Sequence, residues 1–432
     1  TTIYPHYFKL LLHMKKEIIL FINKIEEGVV KSIKEYAVDQ GKEYDTALLL
    51  NTRTQKIPKD SPADIILSCD FTKLTKIYET LKVIKNQIIG VTCLGERNIG
   101  AFEKVIPHLP YIRTPNAASL QWATNKIIMR ELFQAYNKKI SPKFCVIKNG
   151  SENSLALIKK KVGFPLVLKP AGLASSLLVT ICFHEEDVSA ALKKMFNRIQ
   201  FFYKQAKVTK DPVVLVEQFM EGEMYSIDAY INHVGNILFC PFVHIKTGRT
   251  IGFDDFFGYK QMTPTTLTKE EREKGKNVAM QGVYALGLRN TTAHVELMKT
   301  DLGWKIIEIG SRIGGFRHLM YQLSYGINHR LNDVLVRIGK KPIISTRLKG
   351  YTILLKMFSS KEGKLEKING LRKIRGISSL HRMEVNLKRE EQCKFAKNGG
   401  KSVVDIMLCN KNKSDLLADV RRVETSIEII VS

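Results

Sequence analysis

The chain has 432 residues, of which 44% are hydrophobic and 25% are charged, and its formal net charge at pH 7 is +26. This composition is typical of globular proteins, and the length is sufficient for two or three domains. The early apolar run Ile18 to Ile22 is too short for a secretory signal or a membrane span, and no other stretch approaches about 18 apolar residues, so we expect a cytoplasmic protein.

The excess of positive charge has two interpretations. A polyanion such as nucleic acid is one partner that would suit so basic a chain. The basic residues are, however, spread along the sequence in short runs such as Lys159-Lys160-Lys161 and Lys340-Lys341, without a long basic tail. A lysine-rich composition that also attracts small anionic substrates explains the charge better, and a nucleic-acid partner is not expected.

Residues 14–115 alternate short apolar strands with amphipathic helices, which predicts a small parallel α/β domain. The preceding segment, 1–13, is excluded from the fold prediction because Met14 and the residues after it resemble an ordinary protein start. No G-x-G-x-x-G motif is present, so a dinucleotide site is not indicated. The predicted strands are Glu17–Phe21, Thr46–Leu50, Asp64–Ser68 and Gln87–Val91, and the predicted helices are Gly28–Asp39, Leu74–Lys85 and Ala101–Leu109.

The remainder divides into a large central part and a small C-terminal part. Residues 116–140 carry one apolar face and predict a helix that ends before a proline. Hairpin-like strands dominate from there to about residue 310, with helices near Glu185–Ile199 and Lys269–Leu286. Residues 350–432 combine short strands with polar turns and predict a small separate α+β domain. The predicted domains are 14–115, 116–345 and 346–432.

Two acidic residues are predicted to face each other across a hairpin. The loop 301–303 between two strands ends in glycine, as three-residue hairpin loops commonly do. Thr300 would then pair with Trp304, and the same register pairs Glu296 with Glu308. Carboxylates about 5 Å apart repel each other by about 3 kcal/mol. An exposed, solvated pair is one alternative, and a proton shared by the two carboxylates is a second. A magnesium ion, usually held by one or two carboxylates and nucleotide phosphates, is the third and would attract both carboxylates at once.

A second segment suits a phosphate group. An apolar strand ends at Lys169, and a loop of small residues, Ala171–Ser176, follows it. Such a loop exposes backbone N–H groups to phosphate, the lysine supplies charge, and Ser175 and Ser176 add hydroxyl donors. Taken alone, the segment would also fit a plain hairpin.

A third segment follows the second carboxylate. Arg312 stands four residues after Glu308 and is followed by Gly314 and Gly315. The planar fork of an arginine suits a carboxylate or a transferring phosphoryl group, and the glycines let backbone approach a ligand closely. In isolation, a turn with a surface arginine would explain the same residues.

Together and in this order, the segments resemble the ATP-grasp superfamily over roughly residues 90–340. The resemblance assigns a phosphate contact to Lys126 at a helix start, with Arg130 one turn later. It further assigns Lys169 as the second phosphate lysine, Ala171–Ser176 as the lid loop, Glu217, Gln218 and Met220 as the adenine hinge, Glu296 and Glu308 as magnesium ligands, and Arg312 as the residue that stabilises the acyl-phosphate and tetrahedral intermediates.

The likeness is closer to the L-amino acid ligase and carnosine synthase-like branch. Its pattern around the metal, H-x-E and then E-I-x-x-R-x-G-G, is matched by His294-Val-Glu296 and by residues 308–315, and residues 88–97 resemble the end of that branch's N-terminal domain. Two positions depart from the wider superfamily. Gly310 stands where many members have asparagine. Met224 stands where a ribose-binding glutamate would fall, and the adjacent Glu223 is the expected substitute.

The resemblance implies a multidomain α/β and α+β protein with the ATP-grasp fold, in which an N-terminal parallel α/β (pre-ATP-grasp) domain precedes the nucleotide-binding domain and a small α+β domain follows it. The implied activity is ATP-dependent carboxylate–amine ligation through an acyl phosphate, with Mg²⁺ as the metal and Mn²⁺ as a possible substitute. The implied substrates are a small carboxylic acid and an amine, amino acids above all; a homodimer is possible. A nucleic-acid-binding protein on a degenerate scaffold and a biotin carboxylase-like enzyme are the alternatives.

Overall fold

The computed structural model describes residues 16–173, 176–205 and 211–432. Within these ranges the chain forms twelve α-helices and twenty strands, arranged in four sheets. None of the helices in these ranges is both long enough and apolar enough to span a membrane.

The N-terminal part is a parallel sheet, as its alternation of strands and helices predicts. Its elements are β1 (Glu17–Ile22), α1 (Glu27–Asp39), β2 (Tyr44–Asn51), β3 (Ile65–Cys69), α2 (Leu74–Leu81), β4 (Ile88–Cys93) and α3 (Ile99–Val105). The strand order is β3-β2-β1-β4, with all pairs parallel, so the direction of winding reverses between β1 and β4. Strands β1 and β2 are buried almost throughout, which explains their continuous apolar sequence. The four predicted strands are confirmed.

The single helix predicted over 116–140 is wrong, because two helices form there. Helix α4 (Ala117–Thr124) ends at Asn125, whose extended backbone (φ −113°, ψ 103°) interrupts the helical hydrogen bonds, and α5 (Lys126–Asn137) begins directly after it. The Asn125 side chain accepts hydrogen bonds from the N–H groups of the second and third residues of α5, at 3.1 and 3.3 Å. This N-cap satisfies N–H groups that a helix start leaves free, and it fixes which residue stands first in α5.

A four-stranded antiparallel sheet follows. Its elements are β5 (Phe144–Ile147), α6 (Glu152–Lys161), β6 (Leu166–Pro170), β7 (Thr180–Cys182), α7 (Glu185–Gln205) and β8 (Val214–Gln218), and the strand order is β5-β8-β6-β7. Helix α7 buries Val188, Leu192, Met195 and Ile199 against this sheet. Their spacing of three or four residues places them on one face of the helix, as the amphipathic pattern predicts.

A nine-stranded antiparallel sheet forms the centre of the molecule. Its strands are β9 (Glu223–Ile231), β10 (Ile237–Phe239), β11 (Val243–Thr247), β12 (Gly258–Thr263), β13 (Thr291–Thr300), β14 (Gly303–Gly310), β15 (Tyr351–Met357), β17 (Leu380–Val385) and β19 (Val404–Asn410). The order is β14-β13-β9-β11-β12-β15-β19-β17, and β10 pairs with β9. One face of the β9–β13–β14 region packs on α5 and on α8 (Lys269–Ala285). The opposite face of the sheet packs on α9 (Arg317–Tyr325) and α10 (His329–Arg337).

The C-terminal part shares this large sheet, and the predicted domain boundary after residue 345 stays a prediction. Strand β15 pairs along β12, with Leu355 opposite Lys260, and the sheet continues into β19 and β17. An edge strand presents unpaired N–H and C=O groups, and β15 satisfies those of β12. The part still has its own apolar core. Its other elements are β16 (Gly363–Asn369), α11 (Leu371–Arg375), β18 (Gln392–Cys393), α12 (Lys413–Ser426) and β20 (Glu428–Val431), with β16, β18 and β20 in a three-stranded sheet.

Helix α10 holds the parallel sheet against the large sheet. Its residues Leu331, Val334 and Leu335 lie in one apolar cluster with side chains of β1 and β2. Thr92 on β4 donates a hydrogen bond of 2.6 Å to the buried carboxylate of Asp333. The carboxyl ends of β1 and β4, where the winding direction reverses, therefore open beside the loop that follows β14. Crevices at such reversal points commonly bind ligands.

Candidate active site

Glu296 on β13 and Glu308 on β14 are direct cross-strand partners, so the predicted pairing of these two residues is confirmed. The predicted three-residue loop is nevertheless wrong. The turn has two residues, 301–302, and Thr300 pairs with Gly303 rather than with the next residue. Gly303 has φ +98°, a conformation that strongly favours glycine.

A β-bulge at Ile307 reconciles the shorter turn with the predicted pairing. Leu297 pairs with Ile306, whereas Glu296 pairs with Glu308, so Ile307 is an extra residue on β14. The pattern of buried residues shows the same shift. The core-facing residues of β14 are Trp304, Ile306 and then Ile309, so the spacing increases from two residues to three at the bulge. Beyond the bulge, Glu308 alternates with Ile309 and lies on the face opposite to the core. Glu296 and Glu308 thus lie on the same side of the sheet.

Two lysines approach this pair from the first residues of α5 and from the end of β6. Nζ of Lys126 lies 3.4 Å from Oε1 of Glu308 and donates a hydrogen bond of 3.0 Å to the carbonyl of Leu173, in the small-residue loop. Nζ of Lys169 lies 2.7 Å from Oε2 of Glu217. Burial lowers the pKa of Lys169, and Glu217 opposes that shift. Lys126 therefore lies beside Glu308 of the candidate metal pair, whereas Lys169 contacts Glu217 on β8, the neighbouring strand of its own four-stranded sheet.

Glu217 is a buried carboxylate held between two cations. Arg130 on α5 donates its Nε–H to Oε1 of Glu217 at 2.6 Å, and Lys169 occupies the other oxygen. Burial alone would raise the pKa of Glu217, but Arg130 and Lys169 outweigh it and lower the pKa to about 2. The carboxylate therefore faces Lys169. Its predicted contact with adenine stays a prediction.

Asp228 on β9 connects β13, which carries Glu296, to the loop after β14. It is fully buried, and because a carboxylate only accepts, His294 Nδ1 and His329 Nε2 each donate a hydrogen bond of 2.6 Å to it. The N–H of Gly314 donates to the same carboxylate at 2.7 Å. Burial would lower the pKa of His294, but Asp228 outweighs it and raises that pKa. Nε2 of His294 then lies 3.4 Å from Oε1 of Glu296.

Arg312 stands beside the same face and pairs with Glu96 from the loop after β4. Its Nη1 donates to the carbonyl of Ile313 at 3.1 Å, and none of the described residues accepts a hydrogen bond from its Nη2. Burial would lower the pKa of Arg312, but Glu96 raises it on balance, so the guanidinium stays charged. The arrangement leaves one edge of a fixed cation for an anionic ligand.

The remaining predicted positions are only partly brought together. Ser175 lies outside the described residues, and Ser176 has φ 59° in the loop after β6. Gln218 donates its backbone N–H to Lys143 at 2.9 Å, so that group is occupied by the chain itself. Met220 lies in the segment between β8 and β9, and its predicted place in an adenine hinge stays a prediction.

Glu223 is not brought to the site. It pairs with Lys299 across β9 and β13, and its carboxylate accepts a hydrogen bond of 3.0 Å from Tyr225, a core-facing residue of β9. Successive residues of a strand point to opposite faces, so Glu223 lies on the face away from Glu296. The expected substitution for a ribose-binding glutamate therefore has no support in the geometry.

Sequence reasoning missed three residues of this site. Asp228 could have been found, because an acid between the apolar residues Ile227 and Ala229 in the middle of a strand needs a buried partner. Glu96 lies in the segment that resembles the branch, but nothing in the sequence connects it with Arg312. His329 gives no signal, since its contact with Asp228 spans 101 residues of sequence.

The donor set fits a magnesium ion that brings ligands of its own. Glu296 and Glu308 offer carboxylate oxygens on one face, and Gly310 offers no third ligand. Nowhere in residues 16–173, 176–205 and 211–432 do three or more His, Cys, Asp or Glu side chains form a group able to hold a metal. Magnesium is usually bound by one or two carboxylates together with nucleotide phosphates and water. Glu296 and Glu308 supply the two carboxylates, and phosphate and water oxygens would complete the coordination.

Parts of this chain are similar to known proteins. Residues 162–319 match the model of the ATP-grasp domain. The chain is 29% identical over 219 residues to alanine–anticapsin ligase of Bacillus subtilis, covering 46% of this chain and 44% of that protein. It is 31% identical over 137 residues to carnosine synthase 1 of Homo sapiens, covering 31% of this chain and 16% of that protein. The chain thus spans less than two thirds of each of these relatives.

Solved structures extend the likeness beyond the matched domain. An L-amino acid ligase from Bacillus licheniformis superposes with a TM-score of 0.76 at 18% sequence identity, over 97% of this chain and 99% of that chain. The superposition includes the parallel sheet and the C-terminal part, and it shows the fold. Residues 162–319 therefore match an ATP-grasp domain, and the chain as a whole shares the fold of this L-amino acid ligase structure.

Proposed function

We propose that this protein is an ATP-dependent carboxylate–amine ligase that forms an amide or peptide bond through an acyl phosphate and releases ADP and phosphate. The observation that carries the proposal is the position of Lys126, whose Nζ lies 3.4 Å from the carboxylate of Glu308. A lysine that can bind phosphate, next to a carboxylate that can bind a metal ion, would suit the triphosphate of an ATP molecule. The relatives named alanine–anticapsin ligase and carnosine synthase support the same class.

The chain's own cations would bind the nucleotide. Lys126 and Lys169 would neutralise the phosphates, and the loop 171–176 would cover them and exclude water, which otherwise hydrolyses an acyl phosphate. A magnesium ion held by Glu296 and Glu308, with manganese as a possible substitute, would supply further positive charge at the phosphate oxygens. Glu217 would keep Lys169 aimed at them through its bond of 2.7 Å.

Acyl transfer then needs positioning and charge rather than a nucleophilic side chain. An oxygen of the substrate carboxylate attacks the γ-phosphoryl group, and ADP leaves. The amine next attacks the acyl carbon, a C–N bond forms, and the C–O bond to phosphate breaks as the amine loses a proton. Arg312 would stabilise the oxyanion through the guanidinium edge left free by Glu96, aided by the backbone of Gly314 and Gly315.

The crevice beside the parallel sheet suits small-molecule substrates. The carboxyl ends of β1 and β4 open next to Arg312, and Glu96 from that sheet reaches it. We propose amino acids for both the carboxylate and the amine, in line with the names of the relatives. The mixed charge of this crevice suits a zwitterion better than a polyanion.

Phosphate release tests the proposal. Purified protein is given ATP, magnesium and a matrix of paired amino acids, and wild type is compared with Glu308→Ala and with Glu366→Ala, which alters an exposed glutamate on β16. Release that requires a carboxylate and an amine together, and that disappears only in Glu308→Ala, is expected. Release that persists in Glu308→Ala contradicts the metal assignment, and release that instead requires biotin and bicarbonate supports carboxylation.

A further inference from the structure

The bulge in β14 decides which way Glu308 points. The turn pairs Thr300 with Gly303, and an unbroken continuation of that register would place Ile307 opposite Glu296. Glu308 would then share a face with Trp304 and would point into the apolar core. One extra residue reverses this, because a shift of one position moves every following side chain to the other face. The candidate metal site therefore exists only while the bulge is present.

Arg130 bonds the bulge directly. Its Nη2 donates a hydrogen bond of 2.6 Å to the carbonyl of Ile307, the extra residue. Strand β14 is the edge of the nine-stranded sheet, so a carbonyl on its outer side has no neighbouring strand to pair with. A buried carbonyl without a partner costs free energy, and the guanidinium removes that cost.

The guanidinium of Arg130 is also held by a residue of the four-stranded antiparallel sheet. Arg130 is only 1% exposed, and its Nε donates to Glu217 on β8 at 2.6 Å. The planar fork can hold the carboxylate and the carbonyl at once, with a fixed angle between the two bonds. Lys126 stands one turn earlier on the same face of α5 and lies against Glu308. One helix face thus contacts two successive residues of β14.

We propose that Arg130 is a positioning residue that holds the bulge at Ile307 and so keeps Glu308 turned towards Glu296. Through Glu217 it connects the metal pair with the sheet that carries Lys169. The inference rests on the proposed function, because the metal at Glu296 and Glu308 is part of it. Arg130 touches neither metal nor nucleotide in this role. It acts through the backbone of its neighbour.

Two variants of Arg130 distinguish the effect of its two hydrogen bonds from the effect of its positive charge. Arg130→Lys keeps the positive charge but cannot reach Glu217 and the Ile307 carbonyl with one planar group. Arg130→Met keeps much of the volume and removes both bonds, while Glu217 retains Lys169. Arg337→Met is the matched control. Arg337 is 2% exposed and pairs with Asp333 on α10, away from β14. Like Arg130, it has a buried Nη1 that finds no hydrogen-bond partner among the described residues.

The test measures Mn²⁺ binding to the protein with ADP by electron paramagnetic resonance, and amide hydrogen exchange over residues 303–310 without metal. We expect both Arg130 variants to weaken Mn²⁺ binding by about tenfold to a hundredfold, as loss of a residue that supports metal ligands does. We also expect faster exchange in β14. Arg337→Met should lose stability but keep wild-type Mn²⁺ binding and wild-type exchange in β14.

Wild-type Mn²⁺ binding and exchange in both Arg130 variants would overturn the inference and leave the proposed function intact. Equal weakening in Arg337→Met would overturn it as well, because general destabilisation would then explain the loss. A wild-type protein that binds no Mn²⁺ with ADP would overturn the metal site itself, and the proposed function with it.

Discussion

The carboxylate of Glu96 fills the space that a side chain at position 310 would need. A Cβ built on Gly310 would lie 3.2 Å from Oε2 of Glu96 and 3.6 Å from the guanidinium carbon of Arg312. Glu96 arrives from the loop after β4 and pairs with Arg312. Where the wider superfamily resemblance places an asparagine, this chain therefore brings in an acid from its parallel sheet. The absence of a side chain at Gly310 therefore makes room for the ion pair between Glu96 and Arg312.

Gly310→Ala should impair catalysis more than folding. A contact of 3.2 Å requires Glu96 to move by a fraction of an ångström, which turns Arg312 away from its present direction. We expect kcat/KM for phosphate release to fall on the order of tenfold, because small displacements of a charged group are costly in an active site. Steady-state kinetics and chemical denaturation of the same samples check both parts.

Gly100→Ala is the control for that change. Gly100 lies in helix α3, and an added Cβ would meet no atom of the described residues within 4 Å. Alanine favours the helix by up to about 1 kcal/mol over glycine, so stability should rise and kinetics should stay at the wild-type level. Wild-type kcat/KM in Gly310→Ala would show that the position of Glu96 does not matter for the reaction.

Asp228→Asn should destabilise the protein strongly. The carboxylate accepts from two histidines and from the N–H of Gly314, and an amide can present only one oxygen to them. Removing one partner of a buried charged network costs about 3–5 kcal/mol. Urea denaturation measures the loss, and Mn²⁺ binding with ADP should weaken in parallel because His294 steadies Glu296.

The matched variant is Asp419→Asn. Asp419 is equally enclosed and accepts a hydrogen bond from Ser379 and another from Arg422, at 2.6 Å, in the C-terminal part. It should lose stability without a change in Mn²⁺ binding. Equal weakening of Mn²⁺ binding in both variants would count against a special role of Asp228.

Local patterns predicted the fold well where each element depends on its own residues. The parallel sheet followed from alternating apolar segments, and the pairing of Glu296 with Glu308 followed from a short hairpin. The bulge at Ile307 escaped prediction, although two adjacent isoleucines before Glu308 break the alternation of a regular strand. Two errors, a turn one residue too long and a strand assumed to be regular, cancelled each other.

The unpredicted features depend on contacts between distant segments. Glu96 and Arg312 are 216 residues apart, and Arg130 and the Ile307 carbonyl are 177 residues apart. No spacing rule reaches over such distances. The continuation of the large sheet from β12 into β15 is of the same kind, because an edge strand accepts any extended segment that the fold brings to it.

Stability should fall as the medium is acidified through the range in which His318 titrates. Burial, followed by the neighbouring Arg330, lowers the pKa of His318 from 6.5 to about 4. Between these values the unfolded chain binds the proton better than the folded chain, so the free energy of unfolding decreases as the pH falls from 6.5 towards 4 and is unaffected above 6.5.

His318→Gln removes this contribution. Urea denaturation at a series of pH values should give a smaller loss of stability between pH 6.5 and 4 in the variant than in wild type, and parallel curves above that range. Identical slopes for the two proteins throughout would show that His318 titrates alike in the folded and unfolded chain.

Lys169→Met should weaken ATP binding without unfolding the site. Glu217 keeps its bond of 2.6 Å to Arg130, so no buried carboxylate is left alone, and methionine fills much of the same volume. A charge-assisted bond to phosphate contributes about 2–3 kcal/mol, so we expect KM for ATP to rise roughly thirtyfold to hundredfold.

The control must separate this local contact from the general attraction of a chain with net charge +26. Lys160→Met removes the same unit of charge from an exposed position on α6, in the same sheet-and-helix unit. General attraction acts through solvent and is screened by salt, whereas a partly buried contact is screened much less. The rise in KM for Lys169→Met should therefore persist at high salt, and Lys160→Met should match wild type at every salt concentration. If the two variants instead raised KM equally and salt abolished both effects, Lys169 would be one more contributor to the overall charge and not a phosphate ligand.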